Sequence, residues 1–193
     1  MVRPPEVFMR KLQVFENVSL DGFFVDVHSD MSWAHKHDDE WNAFASGNAS
    51  GESALLFGRV TYDMMAAFWP TPQAAQVLPA VAAGMNRARK FVASRTLRAP
   101  EWENTTLITG DLVSEVTRLK QEDGPDLVIL GSGSLVSQLT EARLIDGYQI
   151  VVNPVVLGRG RTLFETVGAR LPLRLSQTKA FGNGNVVLWY EPA

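Results

Sequence analysis

The stretch Leu127-Val128-Ile129-Leu130-Gly131-Ser132-Gly133-Ser134-Leu135 constrains this chain more than any other, because an apolar strand empties into two glycines and then a helix start. Glycines without Cβ let the main chain approach an anion closely, and the unpaired N–H groups opening the next helix supply donors and partial positive charge. The same glycines also suit a plain strand-to-helix turn with no ligand, so the motif alone leaves both readings open. A second apolar strand, Ala54-Leu55-Leu56-Phe57, ends in Gly58-Arg59-Val60-Thr61-Tyr62 ahead of another helical pattern. Two glycine-marked helix starts suit a pyrophosphate. Arg59 offers a planar fork of donors for phosphate oxygens and Thr61 a hydroxyl near the helix N-terminus, the alternative for Arg59 being a solvated surface charge.

At 193 residues and 46% hydrophobic content, the chain fits one domain with a full core. A net charge of -3 with interspersed signs gives no broad basic face, which argues against nucleic acid as the main partner. The absence of cysteine excludes disulfides, thiolate metal sites and a cysteine nucleophile, and makes the cytoplasm the expected compartment. Met1-Val2-Arg3-Pro4-Pro5-Glu6 lacks the apolar run of a signal peptide, and no segment reaches the length of a membrane span. Residues 1–9 read as a loose, flexible extension, with Met9 an alternative start, ahead of a single domain over 10–193.

The spacing predicts strands over Lys11–Val18, Phe23–Val25, Ala54–Phe57, Lys90–Ala93, Thr105–Ile108, Asp126–Leu130 and Tyr148–Val152. Helices are expected from Asp38 through Ala45, from about Val60 to Phe68, from Ala74 to Asn86, from an Asp111 cap through Leu119, and over Leu135–Leu139. Pro154–Arg161 reads as a glycine-rich loop. Leu173–Ala180 and Val186–Tyr190 flank Gly182-Asn183-Gly184-Asn185, whose Asn-Gly step signals a hairpin. Alternating strands and helices closed by a hairpin give an α/β sheet, mostly parallel, with an antiparallel edge.

Ser19-Leu20-Asp21-Gly22-Phe23, Gly58-Arg59-Val60-Thr61-Tyr62, Phe91-Val92-Ala93-Ser94-Arg95, Gly131-Ser132-Gly133-Ser134-Leu135 and Pro154-Val155-Val156-Leu157-Gly158-Arg159-Gly160 occur in that order. Together they resemble the dihydrofolate reductase-like superfamily, and more narrowly the stand-alone relatives of the reductase half of the bifunctional riboflavin-biosynthesis deaminase/reductase. The resemblance runs from about Arg10 to Tyr190. It implies a three-layer fold around an eight-stranded sheet, a homodimer, NADPH as cofactor, and reduction of a small pteridine- or pyrimidine-type ring. The nearest activity it suggests is that of 5-amino-6-(5-phosphoribosylamino)uracil reductase. Gly58, Arg59, Thr61, Ser94 and Arg95 then fall at the adenosine end, where two arginines favour NADPH over NADH, and Gly131, Ser132, Gly133, Ser134 and Leu135 fall at the pyrophosphate. Ser94-Arg95 alternatively forms a plain strand-end turn.

A reductase needs a proton source beside the hydride acceptor. Asp21 is the first choice, since its turn resembles the one lining the cleft of riboflavin-type reductases, with a turn-forming aspartate as the alternative. Asp38, three residues before Trp41, matches the carboxylate of the folate-reducing members and equally suits a helix cap. Val25–Trp33 replaces the usual substrate-covering segment, so folate itself is not the expected substrate. Phe23, Trp33 and Trp41 can stack on a planar ring or simply pack. His28, His35 and His37 are irregularly spaced, and no metal is expected. Lys36, Arg159 and Arg161 are candidate partners for a substrate phosphate. The competing reading is a non-catalytic dinucleotide- or metabolite-binding protein on the same fold, and a weaker one is an interaction protein whose edge strands dimerise.

Overall fold

Leu12–Ser19 forms the strand β1 because its alternate residues are buried, Leu12, Val14 and Val18 on one face being core. The structure, a computed structural model, describes residues 9–34 and 38–193, so residues 1–8 of the expected extension and the residues His35, Lys36 and His37 lie outside the described residues. After β1 come β2 (Phe23–Val25), α1 (Asp39–Ser50), β3 (Ala54–Gly58), α2 (Arg59–Phe68), α3 (Pro72–Val77), α4 (Pro79–Arg87), β4 (Lys90–Ala93) and β5 (Thr105–Ile108). They are followed by α5 (Leu112–Gln121), β6 (Leu127–Leu130), α6 (Gly133–Glu141), β7 (Gly147–Asn153), β8 (Arg161–Thr162), β9 (Leu173–Ala180) and β10 (Val186–Pro192).

Eight strands form one sheet in the order β5-β4-β3-β6-β1-β7-β10-β9, with β2 and β8 making a separate ribbon. The strands from β5 to β7 are parallel, while β10 runs antiparallel to both β7 and β9. One face packs Val14, Leu56 and Ile129 beneath Val116 and Leu119 of α5 and Leu135 and Leu139 of α6. The other face packs Leu55 and Phe57 beneath Tyr62 of α2 and Val81 and Met85 of α4, and Val151 and Val187 beneath Trp41 of α1. Both faces are covered, as a parallel sheet requires.

The connections decide where a ligand can sit. From β3 the chain leaves through α2, α3 and α4 toward β4, whereas from the adjacent β6 it leaves through α6 toward β7 on the other side. Two neighbouring parallel strands whose connections diverge open a crevice at their C-terminal ends. Gly58 and Gly131 stand at those two ends.

The expected helix over Ala74–Asn86 is two helices, because the chain breaks at Leu78 (φ -137, ψ 66) ahead of Pro79, outside the helical region that a following proline disfavours. Thr71 caps the first of them, accepting the Ala74 N–H, with Pro72 in the first turn. The Pro154–Arg161 loop ends by pairing Arg161 with Val25. No described helix is long and apolar enough to cross a membrane.

Candidate active-site cleft

Each of the two bends is built by backbone that only particular residues tolerate. Gly131 (φ 61) and Ser132 (φ 66, ψ 62) are both left-handed, which is routine for glycine and costly for serine. Two hydrogen bonds hold the serine there: the Gly58 N–H donates to Ser132 Oγ at 2.7 Å, and the Ser132 hydroxyl donates to Thr61 Oγ1 at 2.8 Å. The first bend is thus tied to the second through one side chain. A Cβ at Gly131 would lie 3.0 Å from Thr61 Cγ2, and one at Gly133 only 2.4 Å from Phe24 Cζ, so both glycines are required by the closeness of their neighbours.

The starts of α1, α3 and α5 are closed by side chains, while α4 opens on Pro79 without a side-chain cap. Asp38 accepts the Trp41 N–H ahead of α1, Thr71 the Ala74 N–H ahead of α3, and Asp111 the Ser114 N–H ahead of α5. No side chain caps α2 or α6. The first amides of a helix have no partner within it, so these two starts leave N–H donors and the positive ends of two helices beside the same crevice.

A cleft of about 1270 Å³ opens there, larger than a single small-molecule pocket of roughly 300–1,000 Å³. Gly58, Arg59, Thr61, Ser94, Arg95, Gly131, Ser132, Gly133, Ser134 and Leu135 all border it. Arg59 is steadied by Asp63 (2.6 Å from Nε) and Thr96 (3.1 Å from Nη1). Ser94 Oγ accepts the N–H groups of Thr96 and Leu97, so the strand-end turn and a ligand-facing position coexist. Asp111 also borders the cleft; the Ser114 amide and hydroxyl, and then Arg95, hold its carboxyl below the usual range.

Beyond the bends the walls become apolar: Phe15 from β1, Trp41 and Ala45 from α1, Met64 and Phe68 from α2, Val81 from α4. Trp41 is fixed edge-on against Phe181 at 5.1 Å. Of the aromatics expected to stack on a substrate, Trp41 borders the cleft. Phe23 and Trp33 are not among its walls, the Trp33 Nε1–H being directed to the Asp30 carbonyl. Asp21 and Asp38 are not among the walls either. The Asp21 carboxylate accepts the N–H groups of Leu157 (3.1 Å) and Gly158 (2.7 Å), and its pKa is lowered by the Ser19 hydroxyl first and by these amides. Asp38 is committed to its cap. Arg161 borders the cleft above the Phe24 ring, 5.5 Å from its centroid. The His28 N–H donates to Asp26.

Glu16, a buried carboxyl on β1, also borders the cleft and belongs to none of the sequence motifs. Its signal was an acidic residue in the alternating run Leu12, Val14, Glu16, Val18.

The chain belongs to the family of the RibD C-terminal domain, whose model matches residues 10–187. It is 27% identical over 175 residues to the uncharacterized protein YyaP of Bacillus subtilis (strain 168), covering 90% of each, and 29% identical over 173 residues to the uncharacterized protein YwjB of the same organism, covering 90% of this chain and 93% of that one. Among solved structures it is similar to a pyrimidine reductase-like protein from Corynebacterium diphtheriae (TM-score 0.64, 11% identity, 95% of this chain and 92% of that one). It is also similar to a Thermotoga maritima diaminohydroxyphosphoribosylaminopyrimidine deaminase/5-amino-6-(5-phosphoribosylamino)uracil reductase (TM-score 0.66, 14% identity), spanning 96% of this chain and 57% of that protein. A riboflavin-biosynthesis candidate from Shewanella sp. PV-4 superposes with TM-score 0.73 at 22% identity over 95% of this chain and 99% of that one. The architecture is the dihydrofolate reductase-like fold expected from the ordered motifs.

Proposed function

We propose that this protein is an NADPH-dependent reductase of a small heterocyclic substrate, similar to 5-amino-6-(5-phosphoribosylamino)uracil reductase. The observation that carries the proposal is the pair of uncapped helix starts, tied together by Ser132 beside one cleft. The donor set fits a dinucleotide: main-chain amides at Gly133 and Ser134 for the pyrophosphate, and Arg59, Thr61, Ser94 and Arg95 for the adenosine ribose and its phosphate. When bound, NADPH supplies the hydride. The chain's own residues orient it and exclude water, the cleft walls running from Phe24 on one side of β1 to Phe15 and Trp41 on the other around the space for a planar substrate. In this reading Asp21 and Asp38 act as positioning residues, Asp21 by holding the Leu157–Gly158 turn and Asp38 by fixing the start of α1 ahead of Trp41. The free edge and outward exposure of β9 support the homodimer expected of such proteins.

Arg59→Ala and Arg95→Ala test the cofactor assignment. Each removes charge-assisted bonds, and each should weaken NADPH binding about tenfold while NADH binding changes little. Equal losses for the two cofactors would contradict it. A non-catalytic binding protein is the second reading, favoured by the engagement of the Asp21 and Asp38 carboxylates in a turn and a helix cap. Oxidation of NADPH that depends on an added pteridine or aminopyrimidine would exclude it.

A further inference from the structure

Glu16 lies midway along β1, flanked on its own face by Val14 and Val18 and opposite Ile150 of β7. A strand covered on both faces is best served by apolar side chains, so a carboxyl at its centre calls for a reason. The residue is 2% exposed. One carboxyl oxygen accepts the Asn17 N–H at 3.0 Å, while Oε2 is buried with no hydrogen-bond partner. The charged and titratable groups on the surrounding elements are engaged elsewhere. Arg161 on β8 lies over Phe24 and pairs with Glu165, the Tyr148 hydroxyl on β7 meets Thr140, and Asp21 beyond the end of β1 holds the Leu157 and Gly158 amides. Desolvation therefore pushes the Glu16 carboxyl up to about 8, against a smaller opposing effect of the Asn17 N–H.

Its place in the sheet is as telling. β1 pairs with β6 only as far as Phe15 opposite Leu130, but with β7 as far as Ser19 opposite Asn153. From Glu16 onward the β6 side of β1 is open, at the level where β6 turns into Gly131, and Glu16 is part of the cleft wall there.

We propose that Glu16 is the proton donor of the reductase, delivering its carboxyl proton to the nitrogen of a substrate C=N bond. The inference rests on the reductase reading above. The carbon of that bond would take a hydride and form C–H, NADPH when bound supplying the hydride and being oxidised in turn. The C=N π pair moves to nitrogen and forms N–H with the Glu16 proton, and the carboxylate regains a proton from water. A carboxyl held protonated at neutral pH is what this step needs, whereas an exposed one would already be ionised.

The test compares wild type with Glu16→Gln and Glu16→Asp, using NADPH as the binding probe and a set of pteridines and aminopyrimidines as acceptors. Difference infrared spectra of wild type against Glu16→Gln should contain a protonated-carboxyl C=O band that disappears with a midpoint near 8. The Glu16→Gln variant should bind NADPH within about twofold of wild type, lose roughly 10²–10⁴-fold in kcat, and lose the alkaline limb of its pH profile, with Glu16→Asp recovering part of both. Absence of the infrared band at neutral pH would overturn the proposal. So would an unchanged kcat and pH profile in a Glu16→Gln protein that still binds NADPH, and that result would leave the reductase reading standing. Failure of wild type to bind NADPH would overturn both.

Discussion

Replacing Ser132 separates the two things this residue does. Its hydroxyl joins the bends through Gly58 and Thr61, and its backbone holds a left-handed conformation at φ 66. Ser132→Ala removes both hydrogen bonds, worth about 1 kcal/mol each, and leaves the Gly58 amide without its protein partner. Because Ser132 is half-buried, water replaces part of that loss, and the expected destabilisation is about 1–2 kcal/mol. Ser132→Gly removes the same bonds but relieves the left-handed penalty of roughly 1 kcal/mol. The glycine variant should therefore be more stable than the alanine variant by about 1 kcal/mol, although glycine is the more flexible residue in the unfolded chain. Urea unfolding at equal m-value measures the difference. An alanine variant as stable as the glycine variant would refute the left-handed geometry. A stability equal to wild type in both would refute the bridge between the bends.

Gly133→Ala should cost about 1–3 kcal/mol, since the added Cβ would meet the buried Phe24 ring, and Phe24→Leu should recover part of that loss in a double-mutant cycle. Additive single effects would contradict that contact. The pKa of Glu16, raised to about 8 from 4.5, means that the folded state binds the proton more tightly than the unfolded state. Stability should then fall as pH rises between those two values, by up to roughly 1.4 kcal/mol per unit, and Glu16→Gln should flatten this slope in urea titrations across that range. The depressed pKa of Asp21 acts in the opposite sense: its contribution is present above the unfolded carboxylate pKa and is lost as pH falls through the folded value, so Asp21→Asn should reduce acid sensitivity. An Asp21→Asn protein with the acid-unfolding midpoint of wild type would show that the Leu157–Gly158 turn does not depend on the carboxylate.

Most strands were legible as short apolar runs, β9 from the Asn-Gly hairpin signal it flanks, and the bends because glycine interrupts those runs at Gly58 and Gly131. Their convergence followed from chain order, which fixes neighbouring parallel strands once the crossovers are assigned. The break at Leu78 was obscured because Pro79 is as acceptable in a first helical turn as in a breaker, so composition alone did not divide Ala74–Asn86. β8 is two residues long and carries no periodicity of its own. The carboxylates were the hardest to place. Asp21 and Asp38 sit in turn and cap positions that favour aspartate whether or not a ligand is near, and only the direction of the chain decides whether they reach the cleft. Glu16 was hidden for the converse reason: a strand pattern marks which face a residue occupies, not that a buried carboxyl there goes unpartnered where the neighbouring strand stops.

In the proposed reductase the amides opening α6 hold the dinucleotide pyrophosphate and the start of α2 holds its adenosine end. The most direct measurement is a backbone-amide NMR titration of the isotopically labelled protein with NADPH. Saturable shifts are expected at Arg59, Val60, Gly133 and Ser134, with one shared dissociation constant. A folded protein in which these amides do not move, or in which NADPH perturbs only residues away from the two bends, would contradict it.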